Sequence, residues 1–139
     1  MGRTKEKVKI TNSFDLAFAE KGYIEQSEIR SIEITALVDT GAAFLCLPPK
    51  VIKSLGLQFA KTMDVKTGNG KLDLRIFNGA EITIKDRTIQ MQVMENKDDK
   101  IPSWIGYLVL ETMDWVVNPK TQKLIGNPDN DGKWMVDMY

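Results

Sequence analysis

An all-β domain of short antiparallel strands with one or two small helices is the fold this sequence predicts, and three observations predict it. Apolar residues alternate with polar ones in short runs, as in Val8 and Ile10 between lysines, Ile32-Ile34-Ala36-Val38, and Ile82-Ile84; a period of two marks a strand with one buried face. Turn residues interrupt these runs at hairpin spacing, at Gly68-Asn69-Gly70 and Asn118-Pro119. Helical signals are few and brief.

Taken in order, Val8 and Ile10 predict a first strand with a solvated lysine face, read here as a strand edge. NSFDLAFAEKG predicts a short helix capped by Asn12 or Ser13 and ended by Gly22. Ile32 to Val38 form a strand that runs directly into Asp39. AFLCLPPKVIKSLG reads as a strand followed by a helical turn that Pro48 and Pro49 open and Gly56 closes. MDVKTGNGKLDLRIF predicts one hairpin, and AEITIKDRTIQMQVM a second, with Ile82, Ile84, Ile89, Met91 and Val93 alternating. ENKDDK is expected as a solvated loop, YLVLETM as two helical turns, and WVVNPKTQKLI as a third hairpin. The segment 12–28 is an insertion before the second strand, and the tail 127–139 is turn-rich. No linker or internal repeat divides the chain, so residues 1–139 are expected to form one domain with its core at about 8–126.

Bulk composition narrows the chemistry. The chain has 139 residues, with 19 basic and 19 acidic side chains that cancel, which gives no reason to expect nucleic acid or an anionic membrane as partner. No apolar stretch approaches a membrane span, and MGRTKEKVKI lacks an apolar signal region, so a cytoplasmic protein is expected. The single cysteine, Cys46, excludes an intramolecular disulfide; it is expected to be a small buried thiol. There is no histidine, which removes His-activated nucleophiles and most zinc sites. Any acid or base chemistry falls to carboxylates, with no metal or cofactor expected. NPDNDG, residues 127–132, matches the first half of a calcium loop, but Met138 stands at the twelfth position and Pro128 intrudes. Trp104 and Trp115 flank the late helix and are expected in the core or an interface.

The pattern that carries chemistry is IEITALVDTGAAFLCLP, residues 32–48. Ending an apolar strand in Asp39 costs free energy unless the carboxylate is satisfied or used. Taken alone, Asp39-Thr40-Gly41 reads as a turn in which Asp39 bonds its own backbone and Gly41 supplies a positive φ.

With Ala36-Leu37-Val38 before it, Ala42 after it and Leu47-Pro48 beyond, the tripeptide resembles the active-site loop of retropepsin-like aspartic proteases. The remaining landmarks follow in that family's order. A glycine-rich flap, Gly68-Asn69-Gly70, comes about thirty residues later; Ile105-Gly106 precedes a short helix; DWVVNPKTQKL supplies a closing strand. The late pattern is most similar to single-domain microbial members. The resemblance implies a closed barrel of short strands completed by a homodimer, and an aspartic endopeptidase. Asp39 would be catalytic, with Thr40 and Gly41 supporting its loop. Ala42, Ala43, Gly68, Asn69 and Gly70 would contact an extended peptide substrate, and Ile105-Gly106 would be structural. Two departures stand out: Tyr107-Leu108 replaces the Arg and Asp or Asn that brace viral dimers, and Ala43 replaces a frequent substrate-binding acid. A non-catalytic dimerisation or peptide-binding module on the same fold is the rival reading.

Peptide hydrolysis by carboxylates needs two of them, one ionised to take a proton from water and one protonated to donate to the carbonyl. The chain has one Asp-Thr-Gly. A twofold homodimer would bring Asp39 to face its own copy.

Overall fold

A computed structural model describes residues 4–135. The chain runs β1 (Lys5–Asn12), α1 (Ser13–Glu20), β2 (Ser31–Val38), β3 (Cys46–Leu47), α2 (Pro49–Leu55), β4 (Gln58–Thr67) and β5 (Gly70–Asn78). It continues with β6 (Ala80–Ile84), β7 (Arg87–Gln90), β8 (Val93–Glu95), β9 (Trp104–Ile105), α3 (Tyr107–Met113), β10 (Trp115–Asn118) and β11 (Lys123–Gly126). Nine strands form one sheet in the order β4-β5-β8-β3-β9-β2-β1-β6-β7, while β10 and β11 pair separately. The long sheet curls into a half-barrel: Val8 and Ile10 of β1, Ile82 of β6, Val93 of β8 and Ile105 of β9 share one core with α2 and α3, all fully buried. The fold is all-β and retropepsin-like. Among the described residues, no helix is long and apolar enough to cross a membrane.

Local signals account for most elements. The Asn12 side chain accepts the Asp15 amide and caps α1. Gly56 ends α2 in the left-handed conformation at φ 66°. The β4–β5 hairpin turns at Gly68-Asn69, and the Asn118 side chain accepts the Lys120 amide in the turn between β10 and β11.

Four expectations are corrected. β1 is not an edge: it lies between β2 and β6, with Lys5, Lys7 and Lys9 on its solvated face. The strand expected from Ala43 shrinks to Cys46–Leu47. The second hairpin breaks after Gln90, because β7 pairs with β6 whereas Val93–Glu95 leaves to lie between β3 and β5. Consequently ENKDDK is not wholly solvated. Glu95 and Asn96 are buried, with Glu95 bridged by the Arg75 fork at 2.8 and 2.9 Å and Asn96 donating to Pro102 O at 3.0 Å.

The insertion 12–28 is anchored by a buried acid. Asp15 accepts the Arg30 amide and guanidinium in three bonds of 2.9 to 3.0 Å, and the Asn12 side-chain Nδ2 donates to Leu55 O at 2.8 Å. The Arg30 hydrogen bonds hold the Asp15 carboxyl below its ordinary value of 3.8. A depressed carboxylate stabilises the fold above its unfolded pKa, and that contribution disappears as pH falls through the folded one. Asp15→Asn should therefore cost about 2 kcal/mol at neutral pH, and the gap from wild type should close in acid. Urea unfolding of both proteins across pH checks this; a gap that persists undiminished in acid would contradict it.

Candidate active site

The Asp39 loop is held by backbone contacts on three sides. β9 lies between β2 and β3, parallel to β2 through Leu37-Trp104 and Val38-Ile105, and antiparallel to β3 at Cys46. The Asp39 amide continues that ladder by donating to Ile105 O at 3.0 Å. Beyond β9, the first amides of α3 turn back onto the loop, with Tyr107 N donating to Ala42 O at 2.8 Å and Leu108 N to Ala43 O at 3.0 Å. These amides have no partner within the helix, and Gly106 offers no side-chain cap. The loop supplies the cap.

Gly106 has a steric role. A Cβ there would run into the carbonyl groups of Ala43 and Phe44, so the loop crosses where only glycine fits. Gly41 donates its amide to Asp39 Oδ1 at 2.9 Å, and a Cβ on Gly41 would stand 3.3 Å from that oxygen. The turn in which Asp39 bonds its own backbone is therefore present. The positive φ expected for Gly41 is not, because this glycine is absent from the left-handed set that includes Gly56 and Gly70. Its value lies in the close approach of the carboxylate.

Asp39 is half-buried and Thr40 exposed at a cleft of about 540 Å³. Thr4, Leu37, Val38, Trp104 and Val117 complete the lining, which makes Asp39 its one carboxylate among the described residues. The structure thus brings Asp39, Thr40, Gly41, Ala42 and Ala43 together with Ile105 and Gly106. It does not bring Gly68, Asn69 and Gly70 to the cleft: they form the exposed tip of the β4–β5 hairpin.

Trp104 is the contributor that sequence reasoning missed. It lines the cleft and also packs, with Phe44, Met63, Val65 and Leu74, against a second cluster of Cys46, Ile76 and Met94. Flanking the late helix, it was expected in the core or an interface, and only the β2–β9 pairing places it beside Asp39.

The sequence profile of a family described as aspartyl protease matches residues 25–109, more than half of the chain. The chain belongs to the retropepsin-like aspartyl proteases. The match includes β2, the Asp39 loop, the β4–β5 hairpin and the start of α3. No curated protein matches the chain.

In this aspartyl protease domain, residues 127–132 pack against the end of α3. Asn127 and Asn130 donate their side-chain amides to Asp114 at 3.0 and 2.6 Å, and Pro128–Asn130 forms a 3-10 turn; Met138 lies outside the described residues. Cys46 is buried, and its thiol is pushed up to about 11, first by burial and then by the Asp39 charge.

Two outcomes follow. Gly106→Ala should cost at least about 2 kcal/mol in urea unfolding, because backbone has to move, whereas Gly68→Ala, with no atom near its Cβ, should stay within about 0.5 kcal/mol of wild type. Equal costs would mean that the loop crossing is not tight. At pH 8 only about one Cys46 in a thousand is thiolate, so Ellman's reagent should label the folded chain far more slowly than the unfolded one. Rapid labelling of the folded chain would place the thiol outside the core.

Proposed function

We propose that this chain is an aspartic endopeptidase that works as a homodimer, with Asp39 of each copy facing the other across a twofold axis. The observation that carries the proposal is the lone half-buried carboxylate at the cleft, oriented by the Gly41 amide. Two like charges a few ångströms apart share a proton, so such a pair titrates as a unit. The ionised Asp39 takes a proton from water as its oxygen adds to the scissile carbonyl. The protonated copy donates to the carbonyl oxygen, giving a tetrahedral diol. Collapse of the diol breaks the C–N bond, and a proton passes to the departing amine.

In this reading Thr40 hydrogen-bonds across the axis and holds the paired loops. The peptide lies extended between cleft and hairpin, with its alternate side chains set in pockets. Trp104, Val117 and Leu37 offer the apolar surface beside the carboxylate. The β4–β5 hairpin closes over the peptide and excludes water.

Asp39→Asn retains shape and can still accept the Gly41 amide, but it cannot ionise. Cleavage of a peptide library should fall by at least about 100-fold, while sedimentation should report a dimer as tight as wild type or tighter, since repulsion across the axis is gone. The wild-type rate should be bell-shaped in pH. A wild-type monomer that still cleaves would refute the shared site, and a mutant that cleaves normally would reduce Asp39 to a turn former. Peptide binding by both proteins with cleavage by neither would favour the binding-module reading.

A further inference from the structure

Arg87, the first residue of β7, is 4% exposed and forms no ion pair among the described residues. Leaving a guanidinium buried without a carboxylate partner is costly unless hydrogen bonds and stacking offset it. Here three of its five N–H donors meet backbone carbonyls. One terminal nitrogen donates to Met113 O at 2.7 Å and to Asp114 O at 2.8 Å, and the other donates to Gly132 O at 2.7 Å. The guanidinium plane also lies 3.9 Å over the Trp115 ring.

These acceptors stand at the end of α3. The helix stops at Asp114, which is left-handed at φ 57°, so its last carbonyls lack helical partners. Arg87 takes the last of them, Met113 O, together with Asp114 O, and Trp134 Nε1 donates to Thr112 O at 2.9 Å. The Asp114 carboxylate is turned instead to Asn127, Asn130 and the Met135 amide, which draws the chain after β11 onto the same point. At the other end, the first amides of α3 hold Ala42 O and Ala43 O of the Asp39 loop. A helix of seven residues is thus pinned by Arg87 at one end and bonded to the candidate active-site loop at the other.

We propose that Arg87 is a positioning residue for Asp39, acting through α3: by fixing the last carbonyls of the helix it sets where the first amides hold the loop. The assignment rests on the reading of Asp39 as the catalytic carboxylate. Through Gly132 it also makes segment 127–135 part of the support of the site.

The test uses Arg87→Lys, which keeps the charge and the stem but cannot fork to three carbonyls, and Arg87→Met, which keeps only the stem. Native-state hydrogen exchange is read at Tyr107 and Leu108. The reference amides are Asn12 and Asn96, which bond to Arg30 O and Leu47 O on other elements. In the Lys variant, exchange at Tyr107 and Leu108 should rise about tenfold relative to the references, and kcat for peptide cleavage should fall about tenfold or more with KM within about twofold. The Met variant should behave alike or worse. Exchange that rises equally at all four amides, or not at all, would overturn the proposal, as would a change in KM alone. A Lys variant that fails to fold would also overturn it, in favour of a purely structural arginine. If the wild type cleaves no peptide, the endopeptidase reading fails by itself, and the exchange pattern still decides whether Arg87 sets the loop.

Discussion

Most of the structure around Asp39 depends on one backbone passage, the insertion of β9 between β2 and β3. Those two strands are neighbours in sequence, separated only by the Asp39 loop, yet they do not pair with each other; the late segment Trp104–Ile105 lies between them. Such a passage brings three backbones close together, and it is possible because Gly106 has no side chain where the Ala43 and Phe44 carbonyls cross. From it follow the bond from the Asp39 amide to Ile105 O, the capping of α3 by the loop, and the turn of Trp104 into the cleft. Two stretches more than sixty residues apart in sequence thereby define a single carboxylate position. The constraint is non-local, so loop-closure entropy opposes it, and packing of Ile105 and Val109 into the main core offsets that cost.

The sequence disclosed what local physics decides. Asn12 as a cap, Gly56 as a left-handed stop, the Gly68-Asn69 turn and the Asn118 turn each act over four residues or fewer, and each stands as expected. The Asp39 loop was legible as a motif, because tripeptide, preceding strand and following Leu47-Pro48 are contiguous. What stayed hidden was decided by partners distant in sequence. Val93–Glu95 continues the alternation of the strand before it, and only pairing with β3 and β5 separates it from the hairpin. Glu95 looked solvated because an acid in a charged run usually is; its burial depends on Arg75, twenty residues earlier. Arg87 gave no signal at all, since its acceptors are backbone carbonyls that any sequence would supply.

Charged groups in this molecule divide into two kinds by how they are satisfied. Asp15 and Glu95 are buried and each is gripped by an arginine fork, Arg30 and Arg75 respectively. Removing either partner of such a pair leaves the other stranded. Asp39 differs. Among the described residues it forms no salt bridge, the donor to its side chain is the Gly41 amide, and Asp39 itself lines the cleft. Asp114 shares that pattern, held by the Asn127 and Asn130 side-chain amides and the Met135 amide, so what sets Asp39 apart is its place in the cleft.

The β4–β5 hairpin obeys a similar division between its faces. Successive cross-strand pairs on the outer face are Lys66-Lys71, Asp64-Asp73 and Thr62-Arg75, while Val65-Leu72 and Met63-Leu74 point the other way. Like charges set directly opposite do not stabilise a hairpin, and contact with Asp64 raises the Asp73 carboxyl above its ordinary value. Those like-charged pairs contribute little cohesion, whereas Arg75 on the same face ties the hairpin to buried Glu95. On the apolar face, Met63, Val65 and Leu74 meet the cluster that also receives Phe44 and Trp104. Under the proposed peptidase reading, this is the surface against which the side chains of an extended peptide would pack. Contacts that hold the hairpin down without substrate are then exchanged for contacts of the same apolar kind with it, so opening and closing need not cost the burial of a new surface. Under that reading, the tip beyond Arg75 would be the part free to move as a lid, while the Arg75–Glu95 fork keeps the base of the hairpin tied to β8.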